Sequence, residues 1–213
     1  MVAIIVTGAS RGIGAAIAKQ LALAGHPVVV NYAKSAELAD DVVHHIKEQK
    51  GNAIAFQSNV ADADSIKKMV DFAISEFKTV YGVVNNASHP IESMEFAKLS
   101  WTDVQAYLDV QIKGAFNLCQ SVIPHFIENG KGSIVNIASI VADNVPPVNW
   151  LPYNISKAAL VSLSRSLAVE YGPKMIRVNC VSPGMTQTDL IADVPEKTKM
   201  VAKMHTPLRK LAT

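Results

Sequence analysis

The sequence has few cysteines, few aromatic residues and no long apolar run. Its two cysteines, Cys119 and Cys180, lie in apolar stretches without the spacing of metal ligands, which favours buried free thiols in a reducing compartment over a disulfide. No apolar run reaches the length of a membrane span, and the N-terminal MVAIIVTGAS lacks the basic start and the apolar length of a signal peptide. These features predict a cytoplasmic soluble protein that holds no metal.

The charge pattern argues against nucleic acid as a partner. The formal net charge is only +2, and the 20 lysines and arginines are scattered rather than clustered, whereas nucleic-acid-binding proteins carry a basic patch. What the sequence does have is apolar residues. Of its 213 residues, 49% are hydrophobic and 18% are charged, which is enough for a substantial core and predicts one domain over 1–213.

Strand-like and helix-like segments alternate along the chain. This alternation predicts a parallel sheet with helices on both faces, that is, a doubly wound Rossmann-type α/β fold with three layers, α/β/α. Strands are predicted at 2–7, 27–32, 53–58, 82–87, 132–139 and 176–182. Helices are predicted at 12–25, 35–51, about 62–77, about 100–129 with a bend at Pro124, and 152–172. No seventh strand is predicted, so we expect the last strand of such a sheet to be missing.

A glycine-rich loop, TGASRGIG (7–14), joins the first strand to the first helix. Glycines let the backbone approach a ligand closely, and the free N–H groups of a helix N-terminus attract a pyrophosphate. The alternative is a tight turn without a ligand, but the position after the first strand favours a dinucleotide site. The spacing is G-x-x-x-G-x-G and not G-x-G-x-x-G, so a variant of that site is predicted.

The residues after the second strand indicate which dinucleotide binds. An acidic residue at this point would accept the ribose hydroxyls of NAD, but NYAKS (31–35) contains none. Arg11 and Lys34 can instead contact a 2′-phosphate, so NADP(H) is predicted; the alternative is that both are ordinary solvated cations. Asn59 could hydrogen-bond an adenine, and Asn85–Asn86 could line the crevice beside the fourth strand, although asparagines at strand ends are also common in turns.

YNISK (153–157) places a tyrosine and a lysine on one face of a helix, after a strand whose carboxyl end carries Ser139. Open α/β sheets bind ligands at that end. The ammonium of Lys157 would lower the pKa of Tyr153, which would donate a proton to a carbonyl oxygen as hydride reaches the carbon. Ser139 would hydrogen-bond the same oxygen. The alternative is a packed tyrosine beside a lysine that reaches solvent.

Together, TGASRGIG (7–14), NNA (85–87), Ser139, YNISK (153–157) and PG (183–184) resemble the short-chain dehydrogenase/reductase family, in order and in spacing. The resemblance implies that Ser139, Tyr153 and Lys157 are catalytic. It also implies that Asn59 and Val60 contact adenine, Asn86 the ribose side, and Thr186 and Thr188 the nicotinamide amide. The predicted cofactor-binding residues are Gly8, Ser10, Arg11, Gly12, Ile13, Gly14, Lys34, Asn59, Val60, Asn86, Ala87, Tyr153, Lys157, Pro183, Gly184, Thr186 and Thr188.

Within that family, NYAKS, NV (59–60) and TPLRKLAT (206–213) look most like the 3-oxoacyl-[acyl-carrier-protein] reductases. This implies NADPH-dependent reduction of a β-ketoacyl thioester by a homo-oligomer, dimer or tetramer. It also implies an acyl carrier protein as partner, with Lys131 and Lys174 as candidate contacts unless they are simply solvated. The substrate cleft is expected from 88–94, 141–150 and 185–194, with a substrate loop at about 185–205. An NAD-linked alcohol dehydrogenase and a dinucleotide-binding protein with little catalysis remain alternatives.

The chain departs from the family pattern at three places. The asparagine that usually precedes KGAF, part of a proton relay through water to the lysine, is Gln111, which keeps the amide but adds a methylene. Gln111 is therefore included among the predicted catalytic residues. The proton relay could continue through its side chain or its backbone, or it could be lost. The usual NNAG is NNAS, so Ser88 adds bulk beside the nicotinamide pocket. Finally, the family's last helix and seventh strand are not found.

Overall fold

The centre of the fold is a six-stranded parallel sheet, seen in a computed structural model that describes residues 2–213. The strands are β1 (Ala3–Val6), β2 (Val28–Tyr32), β3 (Ala53–Gln57), β4 (Val80–Asn85), β5 (Gly132–Ile137) and β6 (Ile176–Val181). The helices are α1 (Gly12–Leu23), α2 (Ala36–Glu48), α3 (Ala63–Phe77), α4 (Trp101–Leu108), α5 (Gly114–Glu128), α6 (Leu151–Tyr171) and α7 (Glu196–His205). No helix in this part of the chain is long and apolar enough to cross a membrane.

The strand order, β3-β2-β1-β4-β5-β6, reverses direction between β1 and β4. Ile5 pairs with Val29 on one side and with Val83 on the other, so β1 lies at the centre of the sheet. Because every pairing is parallel, the carboxyl ends of all the strands meet at one edge. In open α/β sheets a crevice for ligands forms where the order reverses, here outside the ends of β1 and β4.

Helices cover both faces of this sheet. On one face α1 and α2 pack against β1 and β2, through a core that includes Ala18, Val42 and Ile46. On the other face α3 and α5 pack against β1, β4 and β5, and Leu118 and Phe126 are fully buried there. This arrangement confirms the predicted doubly wound α/β/α fold.

Local sequence signals explain where several elements begin and end. The Asp62 carboxylate accepts hydrogen bonds from the first-turn amides of Asp64 and Ser65, and so caps the start of α3. Gly25, with φ of +90°, follows the end of α1 in a conformation that favours glycine. Ser100 and Asp103 cap each other at the start of α4.

Three predicted segments differ from the structure. The helix expected over 100–129 is interrupted between α4 and α5 by a π-helical turn at Asp109–Lys113, whereas Pro124 lies inside α5. The fourth strand begins at residue 80 rather than 82. The predicted substrate loop at 185–205 contains the helix α7, whose residues are all at least partly exposed and therefore give only a weak apolar signal.

Candidate active site

The glycine loop presents an uncapped helix N-terminus. Gly8 and Gly12 have φ of +60° and +56°, a region that favours glycine. Arg11 precedes α1, its side chain makes no capping hydrogen bond, and the first turn of α1 contains no acidic residue. The amides of that turn therefore have no side-chain partner and can bind an anion such as a pyrophosphate. Ser10 and Ile13 are half-buried in the same loop.

Hydrogen bonds of Asn86 join the end of β4 to the glycine loop. Its side-chain amide donates to the carbonyls of Thr7 (2.9 Å) and Gly8 (3.1 Å). The Thr7 hydroxyl in turn accepts from the main-chain amides of Asn86 (3.0 Å) and Ala87 (3.1 Å). Both amide hydrogens of Asn86 are thus used within the protein, which leaves only its side-chain oxygen for the predicted contact on the ribose side.

The residues predicted to select and hold the adenosine end lie around the ends of β2 and β3. Arg11 and Lys34 are exposed, and the Arg11 guanidinium lies 3.8 Å from the Asp189 carboxylate. Asn59 is exposed and accepts a hydrogen bond from the Ala61 amide at 3.1 Å. Val60 is buried, and its carbonyl accepts a hydrogen bond from the Asn117 side chain at 3.0 Å.

Ser139, Tyr153 and Lys157 come together at the carboxyl end of β5. Ser139 is buried two residues after the strand ends, and Tyr153 lies in the first turn of α6 with 7% of its surface exposed. The Lys157 ammonium donates to the Ile137 carbonyl at 2.7 Å and lies 5.7 Å from the centre of the Tyr153 ring. The three side chains therefore lie close together at the end of β5, as their spacing in the sequence predicts.

The pKa of Tyr153 is raised and not lowered. Burial of the phenol is the main cause, the neighbouring Ser139 hydroxyl partly opposes it, and Tyr107 adds to it. Burial also lowers the pKa of Lys157 to about 8, an effect that Cys180 opposes. The predicted lowering of the tyrosine pKa by the lysine is therefore not seen, because burial of the phenol dominates and the ammonium points at the Ile137 carbonyl.

A second group of polar side chains lies beside Tyr153. The π-helical turn places Gln111 in the interior with 2% of its surface exposed. Its side-chain nitrogen donates to the Ser88 hydroxyl at 2.6 Å, and its oxygen accepts from the Ser156 hydroxyl. Among residues 2–213 no direct hydrogen bond joins Gln111 to Lys157; the relay through water stays a prediction.

The segment after β6 runs back over the site. The Pro183 carbonyl accepts a hydrogen bond from Ile140 at 3.1 Å, so Pro183 and Gly184 lie beside the residue that follows Ser139. The Thr186 hydroxyl donates to the Gly184 carbonyl at 3.1 Å, and Thr186 forms an isolated parallel bridge with Ala212. The side chain of Thr188 would lie 3.4 Å from a Cβ at Gly12, so this segment contacts the glycine loop.

The three segments expected to line the substrate cleft share one apolar cluster. Ile91, Val141, Trp150, Ile191 and Val194 come from 88–94, 141–150 and 185–194, and all are buried with Tyr153. Trp150 and Tyr153 pack edge to face with ring centres 5.8 Å apart. The surroundings of the Tyr153 ring are therefore largely apolar.

Comparison with known protein families agrees with this geometry. The family model for short chain dehydrogenase matches residues 2–199. The chain belongs to the short-chain dehydrogenase family. It is therefore an oxidoreductase of the class that interconverts CH–OH and C=O groups.

Individual members of the family are similar over most of the chain. The 3-oxoacyl-[acyl-carrier-protein] reductase FabG of Staphylococcus aureus is 37% identical over 208 residues, which are 97% of this chain and 83% of the relative. An uncharacterized oxidoreductase of Methylorubrum extorquens is 42% identical over 188 residues, which are 87% of this chain and 73% of the relative. A short-chain dehydrogenase from Burkholderia cenocepacia, whose crystal structure is a complex with NADP, has a TM-score of 0.90 at 34% identity, covering 99% of this chain and 84% of that one.

Two polar residues that hydrogen-bond to parts of the dehydrogenase site were not predicted from the sequence. Asn31 is buried, accepts a hydrogen bond from the Gly8 amide at 3.2 Å and donates to the Ser58 carbonyl at 3.0 Å. A lone asparagine within the apolar run VVVNY is the signal that could have found it, because a buried amide needs partners. Ser156 lies inside YNISK, but nothing in its spacing indicates that it contacts Gln111, which is distant in sequence.

Proposed function

We propose that this protein reduces a carbonyl group with NADPH, and that its substrate is a 3-oxoacyl thioester. The observation that carries the proposal is the convergence of Ser139, Tyr153 and Lys157 at the carboxyl end of β5. The reduction needs a proton donor beside the carbonyl oxygen and a hydrogen-bond donor that stabilises its developing charge. Tyr153 and Ser139 have the chemistry for these two tasks.

Residues of the glycine loop and its neighbours would hold NADPH. The uncapped start of α1 suits the pyrophosphate, and the cations Arg11 and Lys34 suit a 2′-phosphate where an NAD-binding site has an acid. Asn59 and Val60 would contact the adenine, and Thr186 and Thr188 the nicotinamide amide. The complex of the similar Burkholderia cenocepacia enzyme with NADP supports this choice. When bound, NADPH supplies the hydride.

The side chains at the end of β5 would handle the proton. Tyr153 donates its phenolic proton to the carbonyl oxygen, and Ser139 hydrogen-bonds the same oxygen. Lys157 stands beside the ring and, with a pKa of about 8, exchanges protons near neutral pH more readily than an ordinary lysine.

The thioester part of the proposal rests on the relatives and on the apolar cluster. Several of the similar proteins are 3-oxoacyl-[acyl-carrier-protein] reductases. Met185 and Leu190, which are partly buried against the apolar cluster beside Tyr153, would offer apolar surface for an acyl chain, and we propose that the segment 185–205 covers it. Lys131 and Lys174, which lie over the rings of Tyr81 and Tyr171, are the candidate contacts for an acidic carrier protein.

Oxidation of NADPH, followed with short β-ketoacyl thioesters and with a panel of simple ketones, tests the proposal. We expect turnover with the thioesters, and a loss of about a hundredfold to ten-thousandfold in kcat for Tyr153→Phe. Tyr107→Phe is a matched control, because it removes a buried hydroxyl from the same apolar cluster but not the proton donor. Wild-type kcat in Tyr153→Phe would refute the mechanism, and turnover of simple ketones alone would refute the thioester substrate.

A further inference from the structure

Two departures from the family pattern contact each other. Ser88 stands where the family has a glycine and Gln111 where it has an asparagine, and the Gln111 amide nitrogen lies 2.6 Å from the Ser88 oxygen. The remaining oxygen of the amide accepts from Ser156 in α6. We call this chain of three side chains, Ser88–Gln111–Ser156, the amide bridge.

The amide bridge can form with either orientation of the Gln111 amide. Ser88 donates its only hydroxyl hydrogen to the His89 carbonyl at 3.1 Å, so its oxygen is free to accept from the nitrogen of Gln111. Ser156 has one hydroxyl hydrogen and two acceptors within reach, the Gln111 oxygen and the main-chain carbonyl of Tyr153, so it donates to one of them at a time. With the amide turned round, Ser156 would accept from Gln111 and donate to Tyr153, so either orientation joins Gln111 to both serines.

The amide bridge ends at the proton donor. The Ser156 hydroxyl also lies 2.8 Å from the main-chain carbonyl of Tyr153, so the bridge reaches from the loop after β4 to the first turn of α6. A glycine at 88 would have no hydroxyl, and an asparagine at 111 would be one carbon–carbon bond too short to contact both serines from the same backbone position. Each of the two departures is therefore needed for the other to make its contact.

We propose that Ser88 and Gln111 are a matched pair of positioning residues, which keep Tyr153 in position beside the cofactor pocket through Ser156. This positioning role rests on the proposed carbonyl reduction, in which Tyr153 donates the proton. It assigns Gln111 a role other than proton relay, because its amide is engaged by two serines. Buried amides with both ends satisfied hold their surroundings rigidly, and a loss of position at a reacting group lowers its rate.

A double-mutant cycle tests the pairing. We expect Ser88→Ala and Gln111→Asn each to lower kcat about tenfold, with little change in the KM for NADPH, because the cofactor contacts are untouched. We expect the double variant to lose no more than either single variant, because both changes break one bridge. Losses that multiply in the double variant, or single variants with the wild-type kcat, would overturn the pairing.

A spectroscopic titration of Tyr153 supplies a readout that does not depend on turnover. Ultraviolet absorbance of each protein is titrated with alkali, and the titration of the same protein carrying Tyr153→Phe is subtracted. Because burial raises the pKa of Tyr153, a loosened first turn of α6 should lower it toward the ordinary value equally in both single variants and in the double one. An unchanged titration would contradict the proposal. Wild-type protein that reduces no substrate would refute the proposed function, yet leave this measurement decisive for the bridge.

Ser164→Ala controls for general destabilisation. Ser164 is buried in the same helix, donates to the Leu160 carbonyl at 2.7 Å and accepts from Asn136 at 2.6 Å, two turns beyond Ser156. Its loss should lower the melting temperature without lowering kcat. If Ser164→Ala lowered kcat as much as Ser88→Ala, the effect would be one of stability and the positioning role would be refuted.

Discussion

The ammonium of Lys157 donates a 2.7 Å hydrogen bond to the carbonyl of Ile137, the last residue of β5. This contact joins α6 to the strand that leads into Ser139, and it lies in a site where the lysine is only 3% exposed. Among residues 2–213 this ammonium has one hydrogen-bond acceptor, which compensates incompletely for its lost hydration. The lysine that we propose to assist the reaction is therefore expected to reduce the stability of the fold near neutral pH.

The loss of stability caused by Lys157 should depend on pH, and comparison with Lys157→Met should reveal it. Burial lowers the pKa of Lys157 from 10.5 to about 8, so between these values the unfolded chain binds more protons than the folded one, and stability rises with pH. Methionine does not titrate. The free energy of unfolding of the wild type, minus that of Lys157→Met, should therefore grow between pH 8 and pH 10, by about 2 kcal/mol.

Urea unfolding of both proteins at pH 7, 8, 9 and 10 measures this difference. The raised pKa of Tyr153 has its effect above pH 10, where the folded protein keeps the phenolic proton and stability falls, so it lies outside the window. A difference that stays flat from pH 7 to pH 10 would mean that the buried lysine keeps its ordinary pKa.

Arg11→Ala should change the choice of cofactor. Its exposed guanidinium lies on the glycine loop, where it can donate a charge-assisted hydrogen bond to a 2′-phosphate. Loss of that hydrogen bond should raise the KM for NADPH about tenfold and leave the KM for NADH unchanged, because NADH has no 2′-phosphate. Asp189→Asn is the matched control, because it removes the carboxylate that lies 3.8 Å from Arg11 and leaves the guanidinium in place. Steady-state kinetics with both cofactors separate the cases, and an equal loss for NADPH and NADH would contradict the assignment.

Gly14→Ala should destabilise the junction between the glycine loop and β4. A Cβ at Gly14 would lie 2.5 Å from the side-chain nitrogen of Asn86 and 2.6 Å from the Gly8 carbonyl oxygen, so the backbone must shift. We expect a loss of about 1–3 kcal/mol in the free energy of unfolding and weaker binding of NADPH.

Gly172→Ala provides the opposite case within the same chain. Among residues 2–213, a Cβ at Gly172 would meet no heavy atom within 4 Å beyond its own stretch of chain, and its φ of −53° and ψ of −46° suit alanine. This variant should gain about 0.4–1 kcal/mol, because alanine has fewer conformations in the unfolded chain. Chemical denaturation compares the two variants, and a Gly14→Ala protein as stable as wild type would show that the loop yields without cost.

The fold could be predicted from the sequence because its signals are local. Glycines after β1 and α1, the cap at Asp62 and the alternation of apolar runs each act within a few residues. The π-helical turn at 109–113 could not be predicted, because no local pattern indicates it and the two serines that Gln111 contacts lie in distant parts of the chain. Helix α7 was missed because its residues are at least partly exposed, so that burial leaves little pattern in its sequence.

The site could be predicted in position but not in its electrostatics. The strand-to-helix connection alone brings Ser139 near Tyr153, and the helical spacing alone brings Lys157 beside it. The pKa of Tyr153 depends instead on how fully Trp150, Ile191 and other distant residues cover the phenol. Burial is a property of the whole packed cluster, and no short pattern in the sequence reports it.

The bridge between Thr186 and Ala212 closes the intervening segment, which includes α7, into a loop with its two ends joined. The Gln187 amide donates to the Ala212 carbonyl at 2.9 Å, and the Ala212 amide donates to the Met185 carbonyl at 3.2 Å. A loop with joined ends samples fewer conformations than a chain that is held at one end. The intervening segment would therefore lose less conformational entropy on closing around a substrate than a segment that is held at one end.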